Sequence, residues 1–238
     1  MKIIVSDFDG TLYLNSKIVC QEKINKFVND GNVFIIATGR NIISVKKELD
    51  RFPLNVSYFI CNDGAMILDS YLNVIYRTDI DDTMIRSLYN DLKNDSNILE
   101  VLIDTGNGYT DDVHRSTNKM VARYFDKQKA INLVNRINSN YTNVFSYVSN
   151  NWINITKKTE TKGSAIEYLA DFYNLKRYPI YIIGNDINDI SMCHSDFISY
   201  GLDNGINQYL DKYNKVVKSF EEAFDDIVKE DEEIEEYN

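Results

Sequence analysis

Ile3-Ile4-Val5-Ser6-Asp7-Phe8-Asp9-Gly10-Thr11 is the stretch that decides the fold. An apolar run leads straight into two carboxylates spaced two residues apart. Alternate side chains of an extended segment share a face, so Asp7 and Asp9 point to one side and Phe8 to the other, toward a core. Gly10 and Thr11 let the chain turn away. A buried strand ending in acids suits an open α/β sheet, which binds ligands at the carboxyl ends of its strands. Aspartate is a nucleophile for phosphoryl groups, and a second carboxyl beside it can serve as acid and base. A plain acidic turn is the alternative, and the rest of the chain decides between the two.

Outward from that stretch, strands and helices alternate. A helix is expected over residues 20–30, closed by Gly31. Val33–Ala37 is a continuous apolar run, the pattern of a parallel strand buried on both faces. A helix over 41–51 precedes Pro53, and Tyr58–Cys61 is a third strand. This βαβαβ order implies a parallel, doubly wound sheet with right-handed crossovers. After about residue 80 the rhythm changes. Helices are expected over 82–94 and 126–138, the second with Ile131, Val134 and Ile137 on one face. Ile98–Ile103, Asn143–Val148 and Trp152–Thr156 read as strands, and Asp104–Gly108 as a turn. The α/β rhythm resumes with a helix over 162–173, the strand Ile180–Ile183 and a helix beginning at Asp189. The expected architecture is therefore an α/β core, residues 1–80 and 157–238, with an inserted α+β cap domain, residues 81–156, on short hinges.

Composition narrows the function. Hydrophobic residues are 44% and charged residues 26% of 238, enough apolar material for a sizeable core. No apolar run approaches the roughly 20 residues of a membrane span, and the N-terminus carries no secretory pattern. Cys20, Cys61 and Cys193 form no CxxC pair, which suggests neither a disulfide framework nor a zinc site, and a cytoplasmic location fits. Of the net charge of −10, residues 221–238 contribute −9, which reads as a solvated helix end or tail. No basic stripe for nucleic acid is present.

Three further groups fall at strand or helix ends. Thr38-Gly39-Arg40 follows the second buried strand and offers a hydroxyl and backbone N–H groups to an anion. Lys162-Gly163 begins a helix, where phosphate is favoured and a lysine adds a point charge. Gly184-Asn185-Asp186-Ile187-Asn188-Asp189 follows another buried strand, and its clustered oxygens suit Mg²⁺. Each alone has a dull explanation as a turn, a solvated lysine or a cap. Together, on one edge of a parallel sheet, they converge with Asp7 and Asp9.

These stretches, with Asn62-Asp63-Gly64-Ala65, resemble the motifs of the haloacid dehalogenase superfamily. The chain looks like its Cof-type sugar-phosphate phosphatase branch, with a large cap between the second and third motifs and a Rossmann-like core. The resemblance implies Mg²⁺-dependent hydrolysis of a small phosphomonoester, such as a sugar phosphate, through an aspartyl-phosphate. Asp7 is then the nucleophile and Asp9 the acid and base. Thr38, Gly39, Lys162 and Asn188 hold phosphate, and Arg40 contacts substrate. Asp7, the Asp9 backbone carbonyl, Asn185 and Asp189 hold the metal. One departure stands out: the family pattern places Asp where this chain has Asn185. His114 and Arg115 are further candidates for substrate contact, whereas Trp152 and the tyrosines read as core packing. The rival functions are a phosphomutase of the same superfamily and a binding or regulatory module with little turnover.

Overall fold

The computed structural model describes residues 1–205 and 207–229. The first elements in chain order are β1 (Ile3–Asp7), a short hairpin β2–β3 (Tyr13–Leu14, Lys17–Ile18), α1 (Gln21–Asn29), β4 (Val33–Ala37), α2 (Ile42–Leu49) and β5 (Tyr58–Cys61). A second hairpin follows, β6 (Met66–Asp69) and β7 (Val74–Arg77). The middle of the chain forms α3 (Asp82–Lys93), β8 (Ile98–Asp104), β9 (Tyr109–Thr110), β10 (Lys119–Tyr124), α4 (Lys127–Asn140), β11 (Val144–Ser149) and β12 (Trp152–Lys157). The chain continues with α5 (Lys162–Phe172), β13 (Ile180–Gly184), β14 (Ile198–Leu202), β15 (Lys215–Val217) and α6 (Phe220–Lys229).

Eight strands build one sheet in the order β15-β14-β13-β1-β4-β5-β6-β7. The first six run parallel, and β6 and β7 extend the edge in antiparallel fashion. Both faces are covered. Ile4, Phe34 and Ile36 pack with Ile24 and Phe27 of α1, Val45 of α2 and Phe224 of α6. On the opposite face, Ile3, Val5 and Ile35 pack with Ile166 and Leu169 of α5. Burying each such side chain contributes about 1.5–3 kcal/mol, which is why β1 and β4 read as unbroken apolar runs. The fold is a doubly wound α/β sheet, and β13, β1, β4 and β5 bring Asn185, Asp7, Thr38 and Asn62 to one carboxyl edge.

The middle elements form a second, antiparallel sheet in the order β11-β12-β10-β8-β9. Leu88 and Leu92 of α3 and Leu133 and Ile137 of α4 close one of its faces. Ile131, expected on the buried face of α4, is exposed; Ala130, Leu133, Val134 and Ile137 are the buried set. Residues 78–81 lead from β7 into α3 and residues 158–161 from β12 into α5; Lys157 Nζ, at the end of β12, donates to Thr78 Oγ1 at 3.0 Å. The segment expected to begin a helix at Asp189 is a 3₁₀ turn over Ile187–Met192. Of the acidic C-terminal run, Glu221, Glu222, Asp225 and Asp226 lie on the outer side of α6, and Lys23 pairs with Glu221 and Asp225. Residues 230–238 of that run lie outside the described residues. Among the described residues no helix is long and apolar enough to cross a membrane.

Candidate active site

Asp7 ends β1 and is almost fully buried, while Asp9, two residues on, is largely exposed. Phe8 between them is in the core, as the alternation requires. Gly10 adopts φ +81°, and a Cβ there would lie 2.5 Å from the Asn185 side chain, so only glycine fits between the two loops.

Lys162 is the first residue of α5, whose start is fixed by a reciprocal cap. Thr161 Oγ1 accepts from Ser164 N–H at 3.0 Å, and Ser164 Oγ accepts from Thr161 N–H at 2.9 Å. A Cβ on Gly163 would meet the Ser191 carbonyl at 1.8 Å, so glycine lets the helix end press against the 3₁₀ turn. The buried Lys162 Nζ then donates to Asp7 Oδ1 at 2.6 Å and to Asp189 Oδ1 at 2.7 Å. Burial alone would lower Lys162, but Asp189 and Asp7 outweigh it and hold the ammonium well above its usual range. Burial first, and Asp189 second, push the Asp7 carboxyl up to about 8 against the pull of Lys162. The centre as built is short of positive charge.

Asp9 points to the other side of the cleft. Arg40 grips both its oxygens, Nε to Oδ2 at 2.8 Å and Nη2 to Oδ1 at 2.5 Å. The guanidinium lies over the rings of Phe8 and Tyr13, at 5.2 and 5.3 Å. Arg40, expected to contact substrate, is thus first an Asp9 partner. Thr38 is buried, and its Oγ1 accepts from Arg40 N–H at 3.1 Å. Gly39 exposes its carbonyl to Lys119 Nζ at 2.9 Å.

The 185–189 loop divides its work differently from the expectation. Asp189 is wholly buried, and its Oδ2 accepts from the N–H groups of Asn185 (2.8 Å) and Asp186 (2.9 Å). With Oδ1 on Lys162, both oxygens are engaged, and Asp189 shapes the loop. Asp186 turns toward the second sheet and accepts from Ser149 Oγ at 3.1 Å. Asn188 donates to Asp63 Oδ1 at 2.8 Å. Asn185 donates through Nδ2 to the Gly10 carbonyl at 3.1 Å, leaving its Oδ1 buried without a partner.

Asp7 Oδ2 and Asn185 Oδ1 are both buried oxygens without a hydrogen bond. Around them Asp7, Asp9, Asp63, Asp186 and Asp189 supply five carboxylates against the three cations Arg40, Lys119 and Lys162. Among the described residues no three His, Cys, Asp or Glu side chains converge on one point. The donor set is instead one carboxylate oxygen and one amide oxygen on touching loops, with a surplus of negative charge. That set fits a hard divalent cation completed by water and substrate oxygens.

A cleft of about 570 Å³ separates the carboxyl edge from the second sheet, a size suited to a small molecule. Asp7, Asp9, Thr38, Gly39, Arg40, Asp186 and Asn188 line the lower wall. Leu102, Val121, Asn154, Tyr147, Trp152 and Tyr109 line the upper wall. The register explains the grouping: Leu102 faces Val121, which faces Asn154, which faces Tyr147, one row across four strands. Trp152, expected in a core, is half-buried at this wall, whereas His114 and Arg115 are exposed outside it. The sequence reading missed Lys119 and Tyr147. A lysine directly before the apolar run Met120-Val121-Ala122 was the signal for the first; nothing local marked the second.

Comparison with known proteins identifies the family. The profile of the haloacid dehalogenase-like hydrolases matches residues 4–119 and 107–225. A 5-amino-6-(5-phospho-D-ribitylamino)uracil phosphatase of Bacillus subtilis is 23% identical over 273 aligned residues, covering 93% of this chain and 94% of its own. A protein of Plasmodium vivax solved as a HAD/COF-like hydrolase superposes with a TM-score of 0.83 at 16% identity, covering 95% of each chain. A haloacid dehalogenase-like hydrolase from B. subtilis gives 0.77 at 16% identity, over 93% of this chain and 96% of that one. The chain belongs to the haloacid dehalogenase-like hydrolases.

Proposed function

We propose that this enzyme is a Mg²⁺-dependent phosphatase acting on a small phosphomonoester through an aspartyl-phosphate on Asp7. The observation that carries the reading is the buried Lys162 bridging Asp7 and Asp189 beside two unpartnered oxygens, Asp7 Oδ2 and Asn185 Oδ1. Such a centre concentrates negative charge where a cation and a phosphoryl group together would neutralise it.

Asp7 Oδ2, Asn185 Oδ1 and the backbone carbonyl of Asp9 would hold the metal, which supplies charge neutralisation to the phosphoryl oxygens when bound. Thr38, Gly39, Lys162 and Asn188 orient the phosphoryl group. An Asp7 carboxylate oxygen attacks phosphorus; the new O–P bond forms as the bond to the leaving oxygen breaks. Asp9 gives that oxygen a proton. It then takes a proton from water, whose oxygen bonds to phosphorus as the Asp7 bond breaks. For Asp9 to carry a proton, Arg40 must first loosen its two-pronged grip, and an incoming phosphate competes for the same guanidinium. Residues 81–156 act as the cap domain over a core of residues 1–80 and 157–238, excluding water once the ester is bound. The leaving group lies against Leu102, Val121 and Trp152, with the Asn154 amide to read a hydroxyl or carbonyl. Phosphate release in an aryl-phosphate assay with Mg²⁺, abolished by EDTA, is the expected result. No turnover in either condition would favour a binding module, and transfer of the phosphoryl group to a sugar instead of water would favour a mutase.

Asn185 makes a separate prediction. Asn185→Asp adds a charge at the metal, but its new oxygen faces the Gly10 carbonyl where an N–H now donates. Without metal the variant should lose about 1 kcal/mol of stability. With Mg²⁺ it should bind the ion roughly tenfold more tightly, as expected for an added carboxylate ligand. Calorimetric titration and thermal melting with and without Mg²⁺ read both, and an unchanged Mg²⁺ affinity would remove Asn185 from the metal site.

A further inference from the structure

We propose that the buried Asp63–Lys119 pair is the junction through which docking of the cap positions the phosphate-holding groups; this rests on the function proposed above. Asp63 lies in the bend between β5 and β6, held with Asn62 in the left-handed region at φ 57° and 52°. Lys119 opens β10, in the other sheet. Lys119 Nζ meets Asp63 Oδ2 at 2.5 Å, and both side chains are buried. Burial alone would raise Asp63, but Lys119 and then Lys162 outweigh it and hold the carboxyl below its usual value.

What the pair touches gives it a role beyond packing. The same Lys119 Nζ donates to the Gly39 carbonyl at 2.9 Å, which fixes the orientation of the Gly39–Arg40 peptide, whose N–H donates in turn to Thr38 Oγ1 at 3.1 Å. Asp63 Oδ1 accepts from Asn188 Nδ2 at 2.8 Å, which fixes the amide at the other side of the cleft. Tyr147, across the second sheet, donates its hydroxyl to Asp63 Oδ2 at 2.9 Å and lies 3.3 Å from Asn188 Nδ2. Through Lys119, one carboxylate therefore joins the Thr38-Gly39-Arg40 loop, the 185–189 loop and two strands of the second sheet. Lifting the cap withdraws Lys119 and Tyr147 together. Asp63 then loses its cation, Gly39 its carbonyl partner, and Asn188 its fixed acceptor geometry. A buried ion pair adds little net stability over an apolar pair, so its value here is geometric. Lys119 and Asp63 act through Gly39 and Asn188, which makes them positioning residues.

Asp63→Asn is a sensitive variant because the carboxylate is an acceptor on both oxygens. The amide must set an N–H against either Lys119 and Tyr147 or Asn188, a donor facing a donor. Lys119→Met instead leaves Asp63 buried without its cation. Tyr147→Phe removes one donor and keeps the ion pair.

The test is calorimetric titration of orthophosphate into wild type, Asp63→Asn, Lys119→Met, the double variant and Tyr147→Phe. It is run in Mg²⁺ below every melting temperature, beside kcat and KM for an aryl phosphate. Each of the first two variants should weaken orthophosphate roughly tenfold or more, with KM raised to match. The double variant should be no worse than the weaker single, since both break one junction. Tyr147→Phe, which retains the fold's ion pair, should lose roughly twofold to tenfold. Lowered melting temperatures with wild-type orthophosphate affinity would reduce the pair to packing and overturn the proposal. Wild-type binding without turnover would refute the phosphatase reading alone, because the affinities still decide the junction. Absence of orthophosphate binding by the wild type overturns both.

Discussion

Asp7→Asn should lower turnover by at least about 10⁴-fold while leaving the fold intact, as expected when a group that forms the covalent bond is removed. The amide keeps the shape of the carboxyl but cannot attack phosphorus. Stability should hold, because Lys162 retains Asp189 at 2.7 Å and the repulsion between Asp7 and Asp189 disappears. Circular dichroism and melting should therefore match wild type within a few degrees, while phosphate release falls to background. Activity near wild type would remove Asp7 as nucleophile. A collapsed melting temperature would show that the carboxylate chiefly supports the fold.

Lys162→Met carries the largest expected effect on stability. The ammonium has no exposure, and it is the shared partner of two buried carboxylates. Removing one member of a buried pair strands an uncompensated charge, at roughly 3–5 kcal/mol. For a chain of this size that lowers the melting temperature by roughly 6–20 °C. Turnover should fall by roughly 10²–10³-fold as well, because a cation aimed at the developing charge is lost. Adding Asp189→Asn to Lys162→Met should restore part of the stability, since one stranded carboxylate becomes neutral and its oxygen still accepts from Asn185 and Asp186. A melting temperature unchanged in the single variant would mean that Lys162 is not the counter-ion of this site.

The parts of the fold legible in the sequence are those whose signal is local. Ile3–Val5 and Val33–Ala37 read as buried parallel strands because both faces need apolar side chains. Asp7, Thr38, Lys162 and Asn185 were found because each sits where a strand or helix ends, and topology alone then brings them to one edge. What the sequence does not carry is how an oxygen is spent. Asp189 looks like a metal ligand by position, yet both its oxygens hold the loop, on two backbone N–H groups and on Lys162. Trp152 looks like core, yet register sets it at the cleft wall, since period-two alternation fixes a face but not what that face meets. Asp63 lies in the Asn62-Asp63-Gly64-Ala65 motif and Lys119 adjoins an apolar run, but their meeting with each other and with Tyr147, across 56 and 84 residues, is written in no local pattern.

The most direct test of the account is to trap the covalent intermediate. Wild type and Asp9→Asn are mixed with an aryl phosphate in Mg²⁺, quenched in acid and mapped by peptide mass spectrometry. An aryl leaving group departs without a proton, so Asp9→Asn can still form the intermediate but lacks the base that hydrolyses it. A phosphoryl increment is expected on the peptide containing Asp7, stronger in Asp9→Asn than in wild type and absent from Asp7→Asn. Phosphate release with no increment on Asp7, or an increment on another residue, would contradict it.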